Sequence, residues 1–393
     1  MTPFLGNDAT RCVHAGEDRH GRKASLTTDI AQTSVFVLPD VAELRRAAEG
    51  VSDAYLYTRY GNPTTTAAEE KIAALEGAEA CVATASGMAA IFCAALAALH
   101  GGDEIVSLLD LYGGTLRLFE EVLARYGVKS RLVPYEELPQ VESRFTEHTR
   151  MLFLESPTNP TLRCVDLESL ARMAHRHRAV VVVDNTFATP ILQKPLALGA
   201  DMVVHSATKY LGGHSDVTAG AVAGSRSWME QVRKMMKLSG GCPDPFCSYL
   251  LVRGLKTLEL RVERACQNAR AVAQHLRSHP KVERVFYPGL ETHEGHSVAQ
   301  AQMRDFGMMV SFDVKGGAPA AERMIDSLQL WYLATSLGGV ESTVSYPVLS
   351  SHVGFGEERL RQLGVSPATI RLSLGIESSS DLIADLDQAL ERA

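Results

Sequence analysis

This sequence has no cysteine arrangement that could form a framework. Its 7 cysteines, Cys12, Cys81, Cys93, Cys164, Cys242, Cys247 and Cys266, are odd in number, scattered, and nowhere spaced Cys-x-x-Cys. Such usage excludes a disulfide scaffold and points to reduced thiols, most of them buried as small hydrophobes, in a cytoplasmic protein. Basic runs are also missing. With 39 Lys and Arg against 46 Asp and Glu, the formal net charge is -7, so no surface tracks a phosphate backbone and nucleic acid is not an expected partner. No apolar run approaches the ~20 residues that span a bilayer, so no membrane partner is expected. The segment Met1–Thr10 lacks the charged and apolar regions of a secretory signal. No repeat and no low-complexity segment occurs. His293-Glu294-Gly295-His296 offers ligand types near metal spacing, but without a third ligand it reads as a solvated polar loop, and no metal is expected. His175 and His177, in a basic helix end, read as surface residues.

What is present is enough for a large buried core. The chain has 393 residues, 46% hydrophobic and 22% charged, the balance of a globular protein of two or three domains. Short apolar runs at 80–83, 105–108, 151–154, 180–183, 202–204 and 220–223 read as strands. Val180-Val181-Val182-Val183 is apolar throughout, as in a strand covered on both faces. Helical patterns lie between them, including Ala67–Glu76 before Gly77 and Met88–His100 before Gly101-Gly102. The alternation predicts an α/β domain over residues 61–258, built on a mostly parallel sheet. Beyond it, a long helix over Glu259–Ser278, strands at 308–314 and 369–374, and a helix at 320–328 predict a smaller α+β domain over 259–393. Residues 1–60 are loop-rich and read as an arm that packs on a neighbouring subunit.

The chemistry gathers where strands end. Asp184 closes the apolar strand at 180–183, at the edge where open α/β sheets bind ligands. Lys209, in Ser206-Ala207-Thr208-Lys209, follows another apolar strand near the same edge. A carboxylate facing a pyridine nitrogen keeps it protonated, and a nearby lysine can form an imine with an aldehyde. Either residue alone has an ordinary structural explanation. Three anion-ready segments change the balance. Ser86-Gly87-Met88 joins a strand to a helix, Ser206 and Thr208 offer hydroxyls beside Lys209, and Tyr57 and Arg59 offer a phenol and a bidentate guanidinium. Tyr112, after a strand end, could stack on an aromatic ring. Arg371, in a strand with apolar neighbours, needs an anionic or polar partner, and a substrate α-carboxylate would serve.

The residues 201–215, Asp-Met-Val-Val-His-Ser-Ala-Thr-Lys-Tyr-Leu-Gly-Gly-His-Ser, resemble the cofactor-lysine signature of the Cys/Met-metabolism (transsulfuration) PLP-dependent enzymes. The likeness continues through Tyr57–Thr64, Ser86–Met88, Leu111–Thr115, Glu155–Pro160, Ser336–Ser342 and Arg371–Gly375, in order along the chain. It implies the fold-type I architecture of PLP-dependent transferases, with a seven-stranded sheet, and a homotetramer built as a dimer of dimers. It further implies pyridoxal 5'-phosphate bound through Lys209, with Asp184 at the ring nitrogen and Tyr112 stacked on the ring. Ser86, Gly87, Met88, Ser206 and Thr208 would hold the phosphate, joined by Tyr57 and Arg59 of a neighbouring subunit. Asn159, Ser336 and Arg371 would hold a small amino-acid substrate.

The same resemblance leaves the reaction open at its second half. Lys209 would remove the α-proton, Tyr112 would serve as an acid, and the γ-substituent would leave. Release as a 2-oxo acid with ammonia and a thiol is γ-elimination on cystathionine, methionine or homocysteine, as in a carbon–sulfur lyase. Capture by a thiol is γ-replacement on an O-acyl-homoserine, as in a synthase or sulfhydrylase. Glu341 resembles cystathionine-handling members, where a carboxylate meets the distal ammonium. Gly114 stands where methionine γ-lyases carry cysteine, and Thr27–Gln32 departs from the family pattern near the site entrance. An aminotransferase fits the lysine signature less well, and a non-catalytic relative would have no use for intact Lys209, Asp184 and Arg371.

Overall fold

The computed structural model describes residues 6–17 and 25–393. The expectations for Met1–Leu5 and for 18–24 within the 1–60 arm lie outside the described residues. Seven strands form the larger sheet: β1 (Ala80–Thr84), β2 (Glu104–Leu108), β3 (Lys129–Val133), β4 (Thr149–Glu155), β5 (Val180–Asp184), β6 (Met202–His205) and β7 (Gly220–Gly224). Their spatial order is β1-β7-β6-β5-β4-β2-β3. Pairings from β3 to β6 are parallel, whereas β7 runs antiparallel to both β1 and β6. The mostly parallel α/β sheet expected from the alternation is therefore present, in the fold-type I arrangement.

Burial explains which strands could be read. Residues Val181, Val182 and Val183 in β5 are fully buried, which matches an uninterrupted apolar run. Strand β3, Lys-Ser-Arg-Leu-Val, lies at the sheet edge with Lys129 and Arg131 exposed, and its polar positions hid it from an apolar pattern.

Two helix starts bear directly on the site. Helix α1 spans Asp8–His14 and α2 spans Val41–Ala48. Helix α3, Pro63–Glu76, begins with Pro63 in its first turn, capped by Asn62 accepting from the Thr64 N–H, and stops at Gly77 with φ of 71°. Helix α4, Gly87–Ala98, is capped by Ser86, whose Oγ accepts from the Ala89 N–H at 3.1 Å. A short helix, α5, covers Gly113–Arg117 directly after Tyr112.

The helix Leu258–Ser278 joins two cores. Val262, Ala265 and Cys266 pack with the larger sheet, while Ala269, Val272, Ala273 and Leu276 pack with a second one. That sheet comprises β8 (Val282–Phe286), β9 (Met309–Val314), β10 (Tyr332–Leu333), β11 (Thr343–Ser345) and β12 (Thr369–Ser373), in the order β10-β11-β12-β9-β8. The helix Gly317–Ser327 packs beside β9, where the sequence pattern suggested 320–328. His293 is not in a solvated loop. It is buried, hydrogen-bonded to the Thr161 carbonyl at 3.0 Å and to the Gly295 N–H at 3.1 Å, because its segment folds against the turn after β4. His175 is exposed and His177 half-buried, at the end of the helix Leu167–Arg176.

Candidate active site

Five strands deliver side chains to one edge of the larger sheet. The carboxyl ends of β1, β2, β4, β5 and β6 lead respectively to Ser86, Tyr112, Glu155, Asp184 and Ser206. This is the edge at which open α/β sheets bind ligands, because strand ends there leave loops and helix N-termini unpaired. The smaller sheet closes the cavity from the other side with Ser336 and Arg371. The cavity measures about 580 Å³ and also takes in Gly87, Met88, Asn159, Thr208 and Lys209.

Lys209 is half-buried, and its Nζ donates to Ser336 Oγ across the cavity. Burial, with a smaller contribution from the charge of Arg371, lowers its pKa to about 8. An amine so placed is a usable nucleophile and base near neutral pH, which an ordinary lysine is not. Asp184 is buried opposite, with Oδ1 accepting from the Thr186 N–H at 3.0 Å. Burial raises its pKa, while hydrogen bonds from Thr186 act in the other direction. A buried carboxylate of this kind calls for a cationic or proton-bearing partner.

The amino-acid end is set by Arg371, at 5% exposure in the middle of β12. It donates to Asn159 Oδ1 at 2.7 Å and to the Ser336 carbonyl at 3.2 Å. Its Nε has no partner among the described residues, and burial lowers its pKa to about 10, so it stays cationic at neutral pH. Neither recorded partner is an anion. A substrate carboxylate would provide the missing counter-charge.

At the opposite end, Gly87 opens α4 with no room for a side chain. A Cβ there would come within 2.7 Å of the Ser206 Cβ. The close approach lays the N-terminus of a 12-residue helix against the Ser206–Thr208 turn, a cradle of N–H groups and hydroxyls suited to a phosphate. The Thr208 hydroxyl also bonds both the N–H and the carbonyl of Ala219. A phosphate cradle, a buried carboxylate and a depressed lysine in one cavity fit pyridoxal phosphate.

Tyr112 lines the cavity at 47% exposure, and its N–H donates to Glu155 Oε2 at 2.9 Å. Glu155, the first residue of the Glu155–Pro160 motif, also lines the cavity. It ends β4 just as Asp184 ends β5, and that shared position was the signal for it. Three predicted residues do not line the cavity of this chain. Arg59 donates to the Lys237 carbonyl at 2.6 Å and stacks on Tyr57 and Tyr60 at 5.4 and 4.9 Å, and Tyr57 is exposed. Glu341 accepts from Ser215 Oγ at 3.2 Å and is not among the cavity-lining residues.

Comparison with known proteins places this geometry. The family described as Cys/Met metabolism PLP-dependent enzyme matches residues 9–391. The chain is 44% identical to an L-methionine gamma-lyase of Fusobacterium nucleatum subsp. polymorphum over 386 residues, covering 98% of both. It is 42% identical over 392 residues to the chloroplastic cystathionine gamma-synthase 1 of Arabidopsis thaliana, covering 99% of this chain and 69% of that one. The crystal structure of metB from Corynebacterium glutamicum superposes with a TM-score of 0.93 at 41% identity, covering 100% of this chain and 99% of that chain.

Proposed function

Since the chain belongs to the Cys/Met metabolism PLP-dependent enzymes, and so performs γ-elimination or γ-replacement on an amino acid, we propose that its reaction is γ-elimination on a sulfur amino acid. Cystathionine, methionine or homocysteine would yield a 2-oxo acid, ammonia and a thiol. One observation carries the reading: Lys209, Asp184 and Arg371 converge on a single cavity of about 580 Å³. The cofactor, when bound, supplies an electron sink for the negative charge that develops at the substrate α-carbon.

The residues divide the remaining work. Ser86, Gly87, Met88, Ser206 and Thr208 hold the phosphate at the start of α4. Asp184 would hold the ring nitrogen in its protonated form, and Tyr112 would lie beside the ring. Lys209 would hold the cofactor through Nζ and, as a free amine, would take the substrate α-proton. Arg371, fixed by Asn159 and the Ser336 carbonyl, grips the α-carboxylate, which points the α-hydrogen at Lys209. The Ser336 hydroxyl, already bonded to Nζ, steers the amine between its two tasks. Tyr112 would serve as the acid for the leaving thiol.

The subunit arrangement completes the phosphate site. Residues 25–60 expose Val35, Val37, Val41 and Leu44, α2 buries no side chain, and Arg59 lies outside its own cavity. The arm, the 61–258 unit and the 259–393 unit would assemble as a homotetramer, with Tyr57 and Arg59 of one subunit reaching the phosphate of its neighbour. Among the described residues no helix is long and apolar enough to cross a membrane.

A γ-replacing synthase is the second reading, favoured by the likeness to the cystathionine gamma-synthase. The test is a substrate panel of cystathionine, methionine, homocysteine and O-acyl-homoserines with and without thiol. Formation of 2-oxobutyrate without added thiol supports elimination. Thioether formed from an acyl-homoserine at a higher kcat/KM would replace that reading with the synthase.

A further inference from the structure

Strands β4 and β5 run parallel and in register, and their last residues, Glu155 and Asp184, are Cα partners. Partners across a parallel ladder point to the same face, so two carboxyl groups stand side by side at the cavity. Both residues are buried. Like charges so close and so poorly hydrated are costly, and a pair of this kind relieves the cost by keeping one proton.

The surroundings decide which member keeps it. Asp184 receives hydrogen bonds from Thr186, which favour its ionised form. Glu155 accepts an N–H from Tyr112 and faces the carboxylates of Asp184 and Asp110, with Arg371 as a facing cation. Burial and the Asp184 charge push the Glu155 carboxyl well above the usual carboxylate range. An ionised Asp184 also suits a protonated ring nitrogen, as the function proposed above requires. A neutral Glu155 then leaves the cavity with one negative charge where two would bind the same cation.

We propose that Glu155 is a positioning residue of the cofactor site, which holds the proton of the Glu155–Asp184 pair and ties the Tyr112 backbone beside Asp184. The tie has a geometric consequence. Tyr112 precedes α5, and the N–H to Oε2 bond anchors the backbone from which its half-exposed ring projects.

This inference rests on the ring nitrogen lying at Asp184, and the tests separate the two ideas. Glu155→Gln retains the acceptor for the Tyr112 N–H and is neutral, whereas Glu155→Leu loses the acceptor. Pyridoxal phosphate affinity of the apo-protein and visible circular dichroism of the bound cofactor should stay near wild type in Glu155→Gln, affinity within about three-fold. In Glu155→Leu the dichroism should change, and kcat should fall more than tenfold with KM altered far less. Infrared difference spectra should contain a protonated-carboxyl band in the wild type that is lost in Glu155→Gln. A Glu155→Gln variant as impaired as Glu155→Leu, or a wild type without that band, would overturn the proposal, because the charge would then be the working feature. A Glu155→Leu variant with native dichroism and turnover would overturn it too; if that variant does not fold, the infrared band and Glu155→Gln still decide. Failure of the cofactor placement shows up separately, as an Asp184→Asn variant with unaltered cofactor absorption.

Discussion

Arg371 donates to Asn159 Oδ1 at 2.7 Å, which joins residues 212 positions apart and ties the smaller sheet to the loop after β4. The contact orients the guanidinium without neutralising it. Arg371→Gln should therefore reduce kcat/KM roughly ten- to a hundred-fold, the effect of losing a charge-assisted contact of about 1.5–3 kcal/mol. Most of the loss should fall on KM in steady-state kinetics. Arg371→Lys should recover little, since an ammonium cannot meet both Asn159 and a carboxylate in the planar geometry of a guanidinium.

Lys209 makes a sharper prediction in pH. Its pKa of about 8 means that the neutral amine, the form that attacks an aldehyde, accumulates well below the range of an ordinary lysine. The rate at which apo-protein captures pyridoxal phosphate should rise about tenfold per pH unit and level off near pH 8. Stopped-flow absorbance measures it, and a plateau only above pH 10 would contradict the depressed amine. Lys209→Ala should abolish both the covalent link and turnover.

Arg59 lies off the cavity of its own chain, so its role should appear only between subunits. Arg59→Ala should weaken pyridoxal phosphate retention. Mixed with Lys209→Ala subunits it should regain part of the lost activity, because one site of each mixed dimer is then intact. Verified mixed dimers with no recovery would assign Arg59 to its own subunit.

The parts of the fold set by local pattern were open to reading from the sequence. Fully buried strands such as β5 are apolar at each position, and caps such as Gly77 need a left-handed backbone that glycine supplies. Arg371 stood out because a cation among apolar neighbours needs a partner, and Lys209 stood out only together with Asp184 and the anion-ready segments. Tertiary placement was less legible. The neighbouring of Glu155 and Asp184 depends on strand register, and β3 hides its strand character behind Lys129 and Arg131. His293 looked like loop and is buried, because its polar partners are backbone groups from elsewhere in the fold.

Gly114 stands against the Tyr112 ring. A Cβ on residue 114 would lie 2.5 Å from Tyr112 Cε1 and 3.1 Å from Met88 Sδ. Gly114→Ala should displace the ring and cost about 1–3 kcal/mol in overpacking. The expected signature is a lower kcat with altered visible circular dichroism. Unchanged dichroism together with unchanged kcat would show that Tyr112 moves aside freely.

Glu341 resembles a reader of the distal ammonium of cystathionine, yet its carboxylate accepts from Ser215 Oγ at 3.2 Å and does not line the cavity. Ser215 follows Lys209 on the same turn, and Ser336, the partner of Lys209 Nζ, precedes Glu341. The pair therefore joins the segment that carries the lysine to the segment that carries its hydroxyl partner. Glu341→Val should then lower kcat/KM for cystathionine and for methionine by similar factors, since the position of Lys209 matters equally to both. A single hydrogen bond to a charged group is worth about 1.5–3 kcal/mol at most, so the loss should not exceed roughly a hundred-fold. Cystathionine kinetics that suffer tenfold more than methionine kinetics would instead mean that Glu341 turns into the cavity when a distal ammonium is present.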